Sequence, residues 1–157
     1  MSRSLSSAAL RALHAPQTSE VFLVLLVISH PSLSPSIYLV DDMKDVTTGG
    51  HMYTAHAFLI DIPEESDGAP PTPKVWVDNT NRAVTDAIRS LPSSPTITMS
   101  IVLASSPGTV EAGPFVLQMS DMVADAFAVS ANLGFERMLS EAYPGGSFTP
   151  ADWPGIQ

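Results

Sequence analysis

Thr96-Ile97-Thr98-Met99-Ser100-Ile101-Val102-Leu103 decides the fold class. Ile97, Met99, Ile101 and Leu103 alternate with Thr96, Thr98 and Ser100. A period of two belongs to a strand, whose successive side chains point to opposite faces. The alternation returns at Phe115, Leu117 and Met119 against Gln118 and Ser120. It returns again at Phe127, Val129, Ala131, Leu133 and Phe135 against Ala128, Ser130 and Asn132. Ser105-Ser106-Pro107-Gly108 divides the first two segments, and Asp121 to Asp125 the last two. The pattern predicts an antiparallel meander with one face in a core.

Upstream, Val21 to Ile28 is an unbroken aliphatic run. Periodicity alone leaves a buried strand or a helix core open, and its length with Pro31 and Pro35 favours a strand covered on both faces. Ile37 to Val40 reads as a short strand. Val46 to Tyr53 reads as a hairpin about Gly49-Gly50, where positive φ is cheap. Its second arm is expected to continue through Phe58 and Ile60 to Ile62. Pro63 to Pro73 holds four prolines and reads as a loop. Lys74 to Val77 resumes as a strand. Asp78 and Asn79 are expected to cap a helix to Leu91 with Val84, Ala87, Ile88 and Leu91 on one stripe.

At the start, residues 2–15 read as a helix with Leu5, Ala8, Ala9, Ala12 and Leu13 on one side. Ser2 or Ser4 is its expected cap and Pro16 its stop. From Tyr143 onward the density of Pro and Gly predicts an extended arm. The expected fold is mainly β (α+β), an antiparallel barrel or sandwich of six to eight strands with one flanking helix and an N-terminal helix. The expected organisation is a helical arm over 1–16, a β domain over 17–142 and a C-terminal arm over 143–157.

Composition narrows the function. The chain has 157 residues, 45% apolar and 15% charged, with 14 Pro. Wholesale disorder and coiled coils are excluded. A net charge of −9 argues against a protein that grips phosphate backbones. With no Cys, thiol catalysis, iron–sulfur centres and disulfides are excluded. The eight-residue apolar run is about 12 Å long as a helix, too short to cross a bilayer. No leader is read before it, so synthesis or assembly in the cytoplasm is expected.

Searches for chemistry return little. His51 and His56 are five apart, and His14 and His30 lack a carboxylate at ligand spacing, so no metal site is expected. The acids from Asp61 to Asp67 fit no calcium loop. No Gly-x-Ser-x-Gly elbow, phosphate loop or dinucleotide fingerprint is present. No cofactor is expected, and the residues favour a structural or binding protein over an enzyme.

Several strings carry a resemblance. They are Ser19-Glu20-Val21-Phe22 running to Ile28 and His30-Pro31; Val75-Trp76-Val77-Asp78-Asn79; Val102-Leu103-Ala104-Ser105-Ser106-Pro107 with Thr109-Val110-Glu111-Ala112-Gly113-Pro114-Phe115; and Tyr143-Pro144, Phe148-Thr149-Pro150 and Trp153-Pro154-Gly155. Over nearly its whole length the chain resembles small minor tail proteins of long-tailed bacteriophages. Its order of elements is similar to the N-terminal part of lambda-type tail-tip proteins.

That resemblance implies a tail-tube-like β-barrel or sandwich, stacked as trimeric or hexameric rings under the tail tube. The implied partners are copies of itself, tape-measure, tail-tube and other tail-tip proteins, and DNA in passage, with no membrane insertion. The implied location is the virion. With no Cys in these residues, the metal cluster of the Cys-rich domain that follows in the lambda-type proteins is not an expectation here. The alternative is a soluble β-sandwich module that recognises a host glycan or receptor.

Two residue sets follow. Between Asp41 and Asp67 lie seven acids and one Lys, a net −6 of the chain's −9. Asp41, Asp42, Asp45, Asp61, Glu64, Glu65 and Asp67 are therefore candidates to face a channel, because an acidic lining repels DNA. Tyr143, Phe148 and Trp153 are candidate anchors between subunits.

Overall fold

A computed structural model describes residues 5–61, 73–78, 82–125 and 128–134. The strands are β1 Phe22–His30, β2 Leu33–Val40, β3 Val46–Thr48, β4 His51–Ala55, β5 Phe58–Asp61, β6 Lys74–Asp78, β7 Thr96–Leu103, β8 Ser106–Ala124 and β9 Ala128–Gly134. The helices are α1 Ser7–His14 and α2 Arg82–Arg89. The chain is mainly β, in one mixed sheet of order β3-β4-β2-β1-β7-β8-β9-β6-β5. All pairings are antiparallel except that of β2 with β4.

The meander forms as the alternation predicts, with β7, β8 and β9 as consecutive neighbours. Its dividers differ: Asp121 to Ala124, expected between the last two strands, lie inside β8. Leu103 pairs with Ser106, so the reversal is made at Ala104-Ser105, and Pro107 and Gly108 lie inside β8. The Ala104 N–H donates to the Val21 carbonyl, tying the turn to the start of β1. β8 runs for 19 residues and is broken by register shifts. One falls at Gly113 (φ 105°) and another at Asp121 (φ 50°), where an extra residue bends the strand.

The apolar run forms β1, which starts at Phe22 and is covered on both faces, while Val21 is exposed. On one face Leu26 and Ile28 join Leu39, Val75, Ile97, Leu117 and Leu133. Val84 and Ile88, at i and i+4 on α2, complete that core. On the other face Leu23, Leu25, Val40 and Val102 form a smaller cluster under Val46 and Tyr53 of the β3–β4 hairpin. Gly49 and Gly50 supply positive φ at its turn.

The second arm of that hairpin stops at Ala55 and does not continue through Phe58. Residues 56 and 57 instead carry the chain from β4, second in the sheet, to β5, ninth. In a flat sheet these strands would stand about 34 Å apart. Three residue steps span at most about 11 Å. The sheet therefore curls enough to bring the end of β4 close to the start of β5. The hydrogen bonds of the link agree: the His56 N–H donates to the Val40 carbonyl, and the Asp78 N–H to the Ala57 carbonyl, each at 3.0 Å.

Other boundaries shift for local reasons. β2 begins at Leu33 and runs through Pro35, four residues before the predicted Ile37. Asp78 ends β6 and its N–H donates to the Ala57 carbonyl, while Asn79, the other expected cap of α2, lies outside the described residues. α1 is capped by Ser6, not Ser2 or Ser4, because the Ser6 Oγ accepts the Ala9 N–H at 3.1 Å. Of the predicted stripe, Ala9 and Ala12 are buried while Ala8 and Leu13 are exposed. Ile62, most of the Pro-rich loop and the C-terminal arm lie outside the described residues.

Candidate functional site

The predicted acidic window is split by the fold. Asp41, Asp42 and Asp45 share the exposed loop between β2 and β3 with Lys44 and Met43. Met43 is 96% exposed. Each end of this loop is fastened. The Asp41 N–H donates to the Val24 carbonyl at 3.1 Å. The Asp45 Oδ1 accepts the Ala55 N–H at 2.8 Å, holding the loop against the end of β4. Asp42 Oδ1 accepts the Met43 N–H at 2.6 Å. Asp45 thus has a structural task, and Asp41 and Asp42 supply the exposed charge.

Asp61 stands apart from them. β5 starts beside the 56–57 link, next to Val40, and runs away from it. Asp61 ends that strand opposite Lys74. Glu64, Glu65 and Asp67, and the anchors Tyr143, Phe148 and Trp153, lie outside the described residues.

The sequence reading missed an aromatic cluster beside the acidic loop. β2 and β4 pair only at Leu39–Val40 with Thr54–Ala55, then diverge. An open groove of about 310 Å³ lies there, bordered by Pro35, Ile37, Tyr38, Met52, Thr54 and Val84. The Tyr38 ring stacks on the His51 ring with centroids 4.4 Å apart and meets Tyr53 edge-on at 5.2 Å. Burial, and then the neighbouring Tyr38, push the Tyr53 phenol above its ordinary value. His51 and Tyr53 are two apart on one strand and so share a face. The signal for that half existed. The parallel pairing that brings Tyr38 to them had none.

His56 and His30 have local hydrogen-bond partners. His56 Nε2 lies 2.7 Å from the Asp78 carbonyl and fixes the link between β4 and β5. His30 Nε2 is 2.7 Å from Ser93 Oγ, which has the spacing of a nucleophile and its base. The tautomer is wrong for that task. His30 Nδ1 accepts the Ser32 N–H at 3.0 Å, so in the neutral ring the proton sits on Nε2 and is donated to Ser93. A general base needs the reverse arrangement.

Among the described residues no helix is long and apolar enough to cross a membrane. No curated protein matches the sequence. A family model does match, over residues 8–148, and most of the chain falls inside it. The chain belongs to the family described as a domain of unknown function, DUF1833.

Proposed function

We propose that the chain is a structural subunit of the tail tip of a long-tailed bacteriophage. Copies of it form a ring, a trimer or a hexamer, at the distal end of the tail tube and leave a channel for DNA. In this reading the curled sheet is a tail-tube-like barrel and α2 its flanking helix. Tube, tape-measure and other tip proteins are its neighbours. It assembles in the host cytoplasm and resides in the virion, without catalysis or cofactor.

The observation that carries the reading is the exposed acidic loop at Asp41–Asp45, beside the link from β4 to β5. Duplex DNA carries about one negative charge per 1.7 Å, and a basic lining would hold it by counterion release. Carboxylates lower that affinity and keep passage fast. Immunogold labelling of particles from the phage or prophage that encodes the chain tests this. Label at the distal tail end supports the assignment. Label on the capsid, or none, sinks it.

The groove beside Tyr38 favours the second reading, a module that recognises a host glycan or receptor, since sugars stack on aromatic rings. Glycan binding that disappears in Tyr38→Ala would establish it.

A further inference from the structure

We propose that β5 is a pairing edge for a second copy of the chain, joined antiparallel about a two-fold axis at Leu59. β5 ends the sheet, and among the described residues β6 is the only strand paired with it. The opposite end is tied down, since the Thr48 Oγ1 of β3 donates to the Pro107 carbonyl of β8 at 2.8 Å. Native edges are commonly blunted by Lys, Pro or a bulge. Phe58-Leu59-Ile60-Asp61 has none of these, and Leu59 is 63% exposed.

The direction of each backbone group follows from two hydrogen bonds. The Asp78 N–H donates to the carbonyl of Ala57, the residue opposite it in the β5–β6 register, which makes 57 and 78 a hydrogen-bonded pair. Such pairs alternate along an antiparallel ladder, so Leu59 and Asp61 turn their N–H and C=O groups to β6. The far side of β6 has the matching phase. There the Leu133 N–H donates to the Pro73 carbonyl, which turns Val75 and Val77 to β9 and leaves Trp76 to Leu59. Phe58 and Ile60 therefore direct their backbone groups off the edge of the sheet.

That edge is complementary to itself. With Leu59 facing Leu59 across the axis, Phe58 of each copy meets Ile60 of the other, and every outward N–H and C=O of the two residues finds a partner. An axis on Phe58 would instead call on His56, whose N–H is already donated to the Val40 carbonyl. The two Leu59 residues form a non-hydrogen-bonded pair, in which side chains approach most closely. Half-buried Trp76 lies opposite Leu59 on β6, so the contact is an apolar row of Trp76 and Leu59 from each copy. Asp61 falls opposite Ala57, so no like charges are opposed. Strands of four residues make a small contact, and the dimer is accordingly weak. An isologous contact does not extend around a ring whose subunits share one direction. It belongs to the free chain and is independent of the ring assignment.

The chain has no Cys, so one introduced thiol reports the contact. In the concentrated full chain under mild oxidation, Leu59→Cys should form a disulfide-linked dimer at least about tenfold faster than Met43→Cys, because a facing pair lies within disulfide reach. Met43 is the more exposed of the two, at 96%, so accessibility alone predicts the opposite order. Sedimentation velocity of the unaltered chain should show a dimer that grows with concentration. Leu59→Asp, which opposes two carboxylates at the axis, should abolish it while the thermal transition is kept. Equal cross-linking rates overturn the proposal. So do a monomer at every concentration, a dimer that survives Leu59→Asp, and a mass that grows past two copies.

Discussion

Gly113 has little freedom to change. It holds φ at 105°, and a Cβ there would meet the Met99 carbonyl oxygen at 2.8 Å. That oxygen is backbone in a paired strand and cannot yield. Gly113→Ala should therefore destabilise the fold by more than about 1 kcal/mol, read as a lower denaturation midpoint in urea. An unchanged midpoint would mean that β8 is not bent there. Tyr53 makes a pH prediction. Its folded phenol titrates above the ordinary value of about 10, while the unfolded one titrates at it. The stabilisation is complete below about pH 10 and is lost as the pH rises through the folded value. Tyr53→Phe should flatten that alkaline loss in urea midpoints measured across this window. Equal slopes for the two proteins would show that Tyr53 contributes nothing. Neither property was legible in the sequence, since both arise from strand pairing between distant residues.

At the scale of elements, α2 closes the main core with two side chains. Ile88 is 1% exposed among strands from both halves of the sheet. Ile88→Ala should cost about 2–5 kcal/mol. Ile88→Asp should abolish folding, because an unpaired charge there exceeds the stability of a marginal domain. Soluble, cooperatively melting Ile88→Asp protein would show that α2 is not a core element. Val84 and Ile88 were readable from helical spacing alone, as were β1, β6, the Gly49-Gly50 hairpin and the three strands of the meander. Local period and turn chemistry carry that information. The destination of β5 was not readable. Phe58 and Ile60 alternate correctly for the hairpin arm in which they were placed, and only the two-residue link sends them to the far edge. Ser6 was overlooked as a cap because Ser2 and Ser4 fit the same pattern. Of the candidate site, Asp41, Asp42 and Asp45 were legible as charge, and the Tyr38 cluster was hidden by the unforeseen parallel pair.

For the whole molecule, charge and curvature make a joint prediction. Asp41 and Asp42 are exposed and their side chains pin no distant backbone, so replacing both with Lys should leave stability within about 0.5 kcal/mol. Particles built with that variant should still assemble but eject DNA more slowly, with the delay shrinking as salt rises. Ejection at the normal rate would separate the loop from the channel. The most direct measurement is cryo-electron microscopy of the assembled tail tip. A subunit lining a DNA channel predicts a closed ring of three or six copies with the Asp41–Asp45 loop projecting into the lumen. A chain that stays monomeric beside its tail partners, or a ring whose Asp41–Asp45 loop lies on the outer wall, would contradict it.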